Sequence, residues 1–275
     1  MLPDRIKRGF ITNIFLRELK VNRKAIIIWS VCMFLLVVSG MSKYTAYSSN
    51  GTNNEVFNKM PHTMKAILGI GSFDVTTISG FFALMFLYIE LTAAIHAALL
   101  GSGIIAKEER DKTAEFLMVK PVSRTTVVTS KLLAALVNVL ILNLVALFSS
   151  IIMVSSYNKG SDISGEVTMF LLSMFIVQLI FMSLGALLSA LMKNPKTSGS
   201  FATGILLGGY IIYIITDLTD RLNVLKVLSP FKYFSYEDII KGEGLSSSAI
   251  ILSILLVAVF FALTYFFYRK RDLNV

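Results

Sequence analysis

The chain has 275 residues, 55% of them hydrophobic and only 16% charged, where soluble domains carry about 25% charged residues. The uncharged residues gather in long runs, the pattern of membrane spans and not of one large soluble core. The net charge of +9 does not point to nucleic acid, because Lys and Arg sit beside apolar runs; a single cysteine, Cys32, excludes a disulfide framework, and two histidines without a Cys/His cluster leave no expected metal site.

Residues 1–24 are amphipathic. Ile11, Ile14, Phe15 and Leu19 share one helical face, while Arg8, Arg17, Lys20, Arg23 and Lys24 carry charge. The pattern predicts a helix lying on a membrane surface, with its basic residues against anionic headgroups. The first apolar run starts only at Ala25 and no small-residue cleavage site follows it, so 25–42 reads as a retained span and not a cleaved leader.

Five more segments reach the roughly 20 apolar residues a spanning helix needs: 76–101, 127–155, 167–192, 198–216 and 249–268. The whole chain 1–275 reads as one all-α, polytopic transmembrane domain. The third and fourth spans are joined by the short polar turn YNKGSDISGE, the fourth and fifth by KNPKT, where Asn194 and Pro195 stop the helix. Two other connections look amphipathic. Residues 55–71 place Val56, Met60, Met64, Ile67 and Leu68 at helical spacing, and 222–240 mix apolar and aromatic residues around Pro230. Both are expected either to dip into the interface or to pack as ordinary loops.

Polar residues inside spans are costly unless paired or wet, which makes each one informative. Glu90 lies mid-span in YIELTAAIHAALL; His96, six residues on, falls about 120° around the helix, so the two do not share a face. They are the candidates for a translocation path or gate, against the simpler role of interhelical glue, which Asn138, Asn143 and Gln178 also suit. In the fifth span Ser200, Gly204 and Gly208 recur every four residues, a small-xxx-small face that lets helices approach closely, within one subunit or between two.

Orientation follows from Lys and Arg. With the N-terminus in the cytoplasm, 18 of the 26 basic residues lie in inside segments, which places both termini in the cytoplasm. The stretch IIAKEERDKTAEFLMVKPVSR, residues 104–124, then falls on the cytoplasmic side between spans two and three. Five of its 21 residues are basic and four acidic. A helix is predicted over 104–119, ended by Pro121, with Ala114, Leu117 and Met118 on one apolar face and Phe116 and Val119 on another. Such a helix can pack on the membrane bundle and on a cytosolic partner at once, with its charges setting which partner docks.

These residues carry a resemblance. Glu108-Glu109, then Thr113, Glu115, Phe116 and Leu117, then Pro121-Val122-Ser123-Arg124 and Lys131, resemble the cytoplasmic loop of type-2 ABC exporter permeases; MPHTMKAILG, LSPFKYF and the terminal YRKRDL match further, over essentially the full length. The resemblance implies a multi-pass plasma-membrane subunit paired with a second permease copy or paralogue and with cytosolic ABC ATPase subunits that hold ATP and Mg. The 104–119 helix would be the coupling helix, with Glu108, Glu109, Thr113, Glu115, Phe116, Leu117, Pro121 and Arg124 as its contacts. It also places spans one and five near the subunit interface.

The chain has no Gly-x4-Gly-Lys-Ser/Thr, no His-Glu-x-x-His and no Gly-x-Ser-x-Gly, so no catalytic residues, cofactor or ATP site are expected in it. The expected activity is export of an amphipathic or hydrophobic substrate (a peptide, an antimicrobial or a lipid-like molecule). The rival readings are a non-transporting membrane anchor or sensor that recruits a cytosolic partner and, more weakly, an ion-coupled transporter using Glu90.

Overall fold

The computed structural model describes residues 4–48, 60–61, 63–65, 73–111, 122–157, 162–194 and 197–271. Six long helices carry the described residues: α1 (Asp4–Met41), α2 (Ile78–Arg110), α3 (Arg124–Tyr157), α4 (Ser164–Leu191), α5 (Ser198–Leu218) and α6 (Ser247–Lys270). All six are long and apolar enough to cross a membrane. Each contains or closely overlaps one expected span, and no strand occurs among the described residues.

Two expected elements take a different form. Residues 4–24 are not a separate surface helix but the first part of an unbroken 38-residue α1. No proline interrupts that stretch, and its apolar face meets protein: Ile14 packs with Val127 of α3. Likewise, residues 104–110 are the last two turns of α2, not the start of a new helix. α2 closes at Asp111, whose backbone N–H donates to the Lys107 carbonyl at 2.8 Å. The rest of the expected coupling helix, with Thr113, Glu115, Phe116, Leu117 and Pro121, lies outside the described residues, as does most of 55–71.

At 1.5 Å per residue α2 runs for about 50 Å, well beyond a hydrocarbon core of about 30 Å. Its last turns carry charge and pair with Glu18 of α1 and with Arg271 after α6. That end of the bundle is called the terminal end below.

α2 and α4 form the centre of the bundle, with α1 and α3 as a pair beside them and α6 laid against α4. Phe81, Phe82, Phe86, Phe170 and Phe181 fill the central contact. The α2–α4 crossing depends on glycine. A Cβ at Gly101 would lie 2.1 Å from the Met182 carbonyl oxygen, and one at Gly185 would lie 2.4 Å from that of Ala98. Close backbone approach of this kind is what holds helices together in lipid, where apolar surface has nothing to gain by leaving its solvent. The outer helices show the complementary pattern. On α1, Ile26, Met33, Val37 and Met41 face the bundle, while Ile27, Ile28, Val31, Phe34 and Leu35 are exposed along the opposite stripe.

The connection from α5 to α6 is built of 3₁₀ turns (Asp220–Leu228, Pro230–Lys232) and a short helix, Tyr236–Ile240. Its first half fits the interfacial expectation, with Val224, Val227 and Leu228 exposed. Its second half does not: Phe231, Phe234, Tyr236 and Ile239 are buried in the core, and Ser229 Oγ donates to the Gly209 carbonyl of α5 at 2.8 Å.

Candidate functional site

The terminal end carries a chain of ion pairs. Glu18 of α1 accepts from Lys107 of α2 at 3.1 Å. One residue on, Glu108 pairs with Lys131 of α3, whose ammonium also donates to the Ile104 carbonyl at 2.7 Å. Glu109 accepts from Arg271 at 2.6 Å, and Arg271 donates as well to the Ser189 carbonyl of α4. Arg124, at the start of α3, donates to the carbonyls of Tyr268, Arg269 and Arg271, so it caps the C-terminal end of α6. Glu18, Lys131 and Glu108 are buried.

Charges in such a place hold only while paired, because losing one partner from a buried ion pair costs about 3–5 kcal/mol. Three successive residues of α2 thus reach three different neighbours: α1, α3 and the end of the chain. The segment 112–121 starts and finishes on this cluster, between Asp111 and Val122. Glu108, Glu109 and Arg124, expected as contacts for a partner, therefore have partners within their own chain.

Sequence reasoning did not identify Glu18, Lys107 or Arg271 as part of this site. Each reads locally as one more surface charge, and the pairings link residues as much as 162 positions apart. The available signal was the density of mixed charge beside apolar runs.

A second polar centre lies mid-span. Glu90 is buried and accepts a 2.6 Å hydrogen bond from the hydroxyl of Tyr236, in the short helix after α5. Phe86 and Phe170 both meet the Tyr236 ring edge-on, with centroids at 5.4 and 5.6 Å. Burial, and after it the neighbouring Glu90 carboxyl, push the Tyr236 phenol well above its ordinary range, so it remains a donor. Above Tyr236 a 260 Å³ cavity is bounded by Tyr213, Phe234, Glu237 and the Asp217–Lys232 ion pair. The connection between α5 and α6 is thus the roof over Glu90.

His96 is elsewhere. Its ring meets Trp29 of α1 edge-on at 5.2 Å, and its Nδ1 is buried without a hydrogen-bond partner. Glu90 and His96 therefore do not form one site, as their angular separation implied. The amides act locally: Asn143 donates to the Leu171 carbonyl and to Gln178 Oε1, at 3.1 and 3.2 Å, joining α3 to α4, and Asn138 donates within its own helix.

Ser200 and Gly204 are exposed on α5, and a Cβ at Gly204 or Gly208 would meet nothing within 4 Å. Among the described residues no other helix uses this face for close approach. Among the described residues no group of His, Cys, Asp and Glu could hold a metal ion.

Comparison with curated proteins finds no match. A family model described as ABC-2 family transporter protein matches residues 12–273.

Proposed function

The chain belongs to the ABC-2 transporter family, a membrane permease component that works with an ATP-binding partner, and from that premise we propose that it is the transmembrane half of an ATP-driven exporter. The partner ATPase grips residues 112–121 on the cytoplasmic side, and both termini face the same way. The cargo is an amphipathic or hydrophobic molecule. A second permease, identical or related, completes the pathway.

The observation that carries this reading is the ion-pair cluster at the base of 112–121. A motor can bias a two-state bundle only by contacts that differ between the states. Through Glu108–Lys131, Glu109–Arg271 and Arg124 on the end of α6, a push on the segment reaches α3 and α6 as well as α2. Glu18–Lys107 adds α1. Thr113, Glu115, Phe116, Leu117 and Pro121 form the gripping surface; Glu108, Glu109 and Arg124 transmit the force without touching the motor.

The test is a charge reversal on the gripping surface. Glu115→Lys with Leu117→Asp is expected to abolish copurification of the ATPase while the permease still reaches the membrane at normal abundance. Unchanged copurification together with unchanged transport would reject the proposal. A chain that keeps its partner but moves no cargo under any condition would instead fit a membrane anchor or sensor.

A further inference from the structure

The cavity above Tyr236 lies at the end of the bundle opposite the ion-pair cluster. One wall is the last turns of α5, with Tyr213 and Asp217; another is the connection that follows, with Lys226, Lys232 and Phe234. The bond from Ser229 to the Gly209 carbonyl folds that connection back along α5, to a level about 14 Å short of the helix end at Leu218. The volume of 260 Å³ falls just below the roughly 300–1,000 Å³ of pockets that take drug-sized ligands, so an occupant is small.

Most polar groups on these walls are already engaged. Asp217 holds Lys232, whose ammonium also rests over the Tyr213 ring at 4.9 Å from its centroid. Ser235 Oγ accepts from the Asp238 amide, Tyr236 donates to Glu90, and Glu237 is engaged as well. Two donors are left over. Lys226 lines the cavity and has no acid partner among the described residues. Tyr213 is only 6% exposed, yet its hydroxyl makes no hydrogen bond among the described residues. Nor is that hydroxyl sealed away, as the unpartnered Nε2 of Gln178 is.

The two donors suit different groups. Asp217 and Glu90 both act electrostatically on Tyr213, so a further anion is repelled there and a neutral acceptor is not. The ammonium of Lys226 is the charge left without a counterpart, and one ammonium balances one negative charge, which favours a carboxylate over a phosphate dianion. Phe73, Phe234 and Tyr236 make the rest of the wall aromatic, a surface suited to a flat ring.

We propose that this cavity binds a small aromatic carboxylate, its anionic group on Lys226 and a neutral acceptor such as a carbonyl on the Tyr213 hydroxyl. Bound there, the molecule joins α5 to the connection above Glu90. It is a ligand of the roof and not the cargo, so the site goes beyond the permease reading.

The full-length protein in nanodiscs of neutral phosphatidylcholine would be titrated calorimetrically with 4-acetylbenzoate, with 4-isopropenylbenzoate, which has the same shape without the carbonyl, and with 4-acetylbenzylammonium. Both acids are expected to bind saturably and the cation not at all. Lys226→Met is expected to weaken both acids alike, by roughly tenfold or more, the worth of a hydrogen bond to a charged group. Tyr213→Phe keeps the ring under Lys232 and removes only the hydroxyl. It is expected to lower the preference for the carbonyl compound about fivefold, and to leave the melting temperature of the unliganded protein unchanged.

No saturable binding of either acid, binding of the cation, or an affinity ratio that Tyr213→Phe does not move overturns the proposal. A lower melting temperature for unliganded Tyr213→Phe does so too, since the hydroxyl would then serve the fold. So does tighter binding of short-chain phosphatidylglycerol with the same dependence on Lys226, which would make the occupant a lipid headgroup. None of these measurements involves the ATPase or transport, so the site can fail its test while the permease assignment stands.

Discussion

The hydroxyl of Tyr236 and the carboxyl of Glu90 illustrate what a sequence holds and what it hides. A lone acid in an apolar run is visible at once as a residue that must be satisfied. Its partner lies 146 positions away, in a connection that looks like a surface loop, and no periodicity links the two. The consequence can be measured. Tyr236→Phe removes the donor and leaves the buried Glu90 carboxyl unmatched, so it is expected to lower stability by roughly 1–3 kcal/mol, read as a drop in the detergent-solubilised melting temperature. Replacing both groups, Tyr236→Phe with Glu90→Leu, is expected to recover most of that loss, because two apolar groups leave nothing unsatisfied. Glu90→Gln, whose amide oxygen still accepts from Tyr236, is expected to assemble normally and to alter transport. Full transport by that variant would make Glu90 a structural tie only.

At the scale of helices, the number and position of spans were legible because apolar length alone decides what can cross a bilayer. The helix ends were not. Apolarity falls away near residues 24 and 104, yet α1 begins at Asp4 and α2 continues to Arg110. What extends them is pairing: Glu18 with Lys107, Glu108 with Lys131 and Glu109 with Arg271 make the protruding turns part of the packed body. Hydropathy cannot register such partners. Nor did it single out the α2–α4 crossing, since Gly101 and Gly185 sit among many small residues and gain meaning only when the opposing carbonyls are in place. That crossing makes a firm prediction. Gly185→Leu would drive a side chain into the Ala98 carbonyl and the Ser102 amide of α2, both backbone and unable to step aside. It is expected to abolish the folded protein, seen as loss of the monodisperse detergent-solubilised peak, whereas Gly165→Leu, where the added Cβ meets nothing within 4 Å, is expected to leave it intact. Equal tolerance of both would mean that the central helices are not held as described.

The molecule as a whole is asymmetric around its perimeter. α2 and α4 are largely enclosed by their own chain, while α1, α5 and α6 turn most of their surface outward. Outward apolar surface needs no protein partner in a membrane, so exposure alone does not distinguish a lipid face from a subunit face. Glycine does. A helical glycine costs about 1 kcal/mol against alanine; a Cβ at Gly204 or Gly208 meets nothing within 4 Å among the described residues, whereas Gly101 and Gly185 bring two backbones together within the chain. With Ser200 they form a strip onto which another helix can settle at short range, and the proposed second permease is the partner to test there. The four-residue spacing that marks this strip was visible in the sequence; what meets it was not, because spacing alone does not name a partner. In a chain whose only cysteine, Cys32, is replaced by alanine, Ser200→Cys or Gly204→Cys is expected to cross-link rapidly in native membranes, to a second copy if the transporter is a homodimer or to a related permease if it is not. Gly204→Leu is expected to separate the pair without unfolding either chain, because Gly204 is exposed and a Cβ there meets nothing within 4 Å among the described residues. Cross-linking no faster than at the exposed Ile254 of α6, with a Gly204→Leu variant that still associates, would assign this strip to lipid and move the subunit contact to another helix.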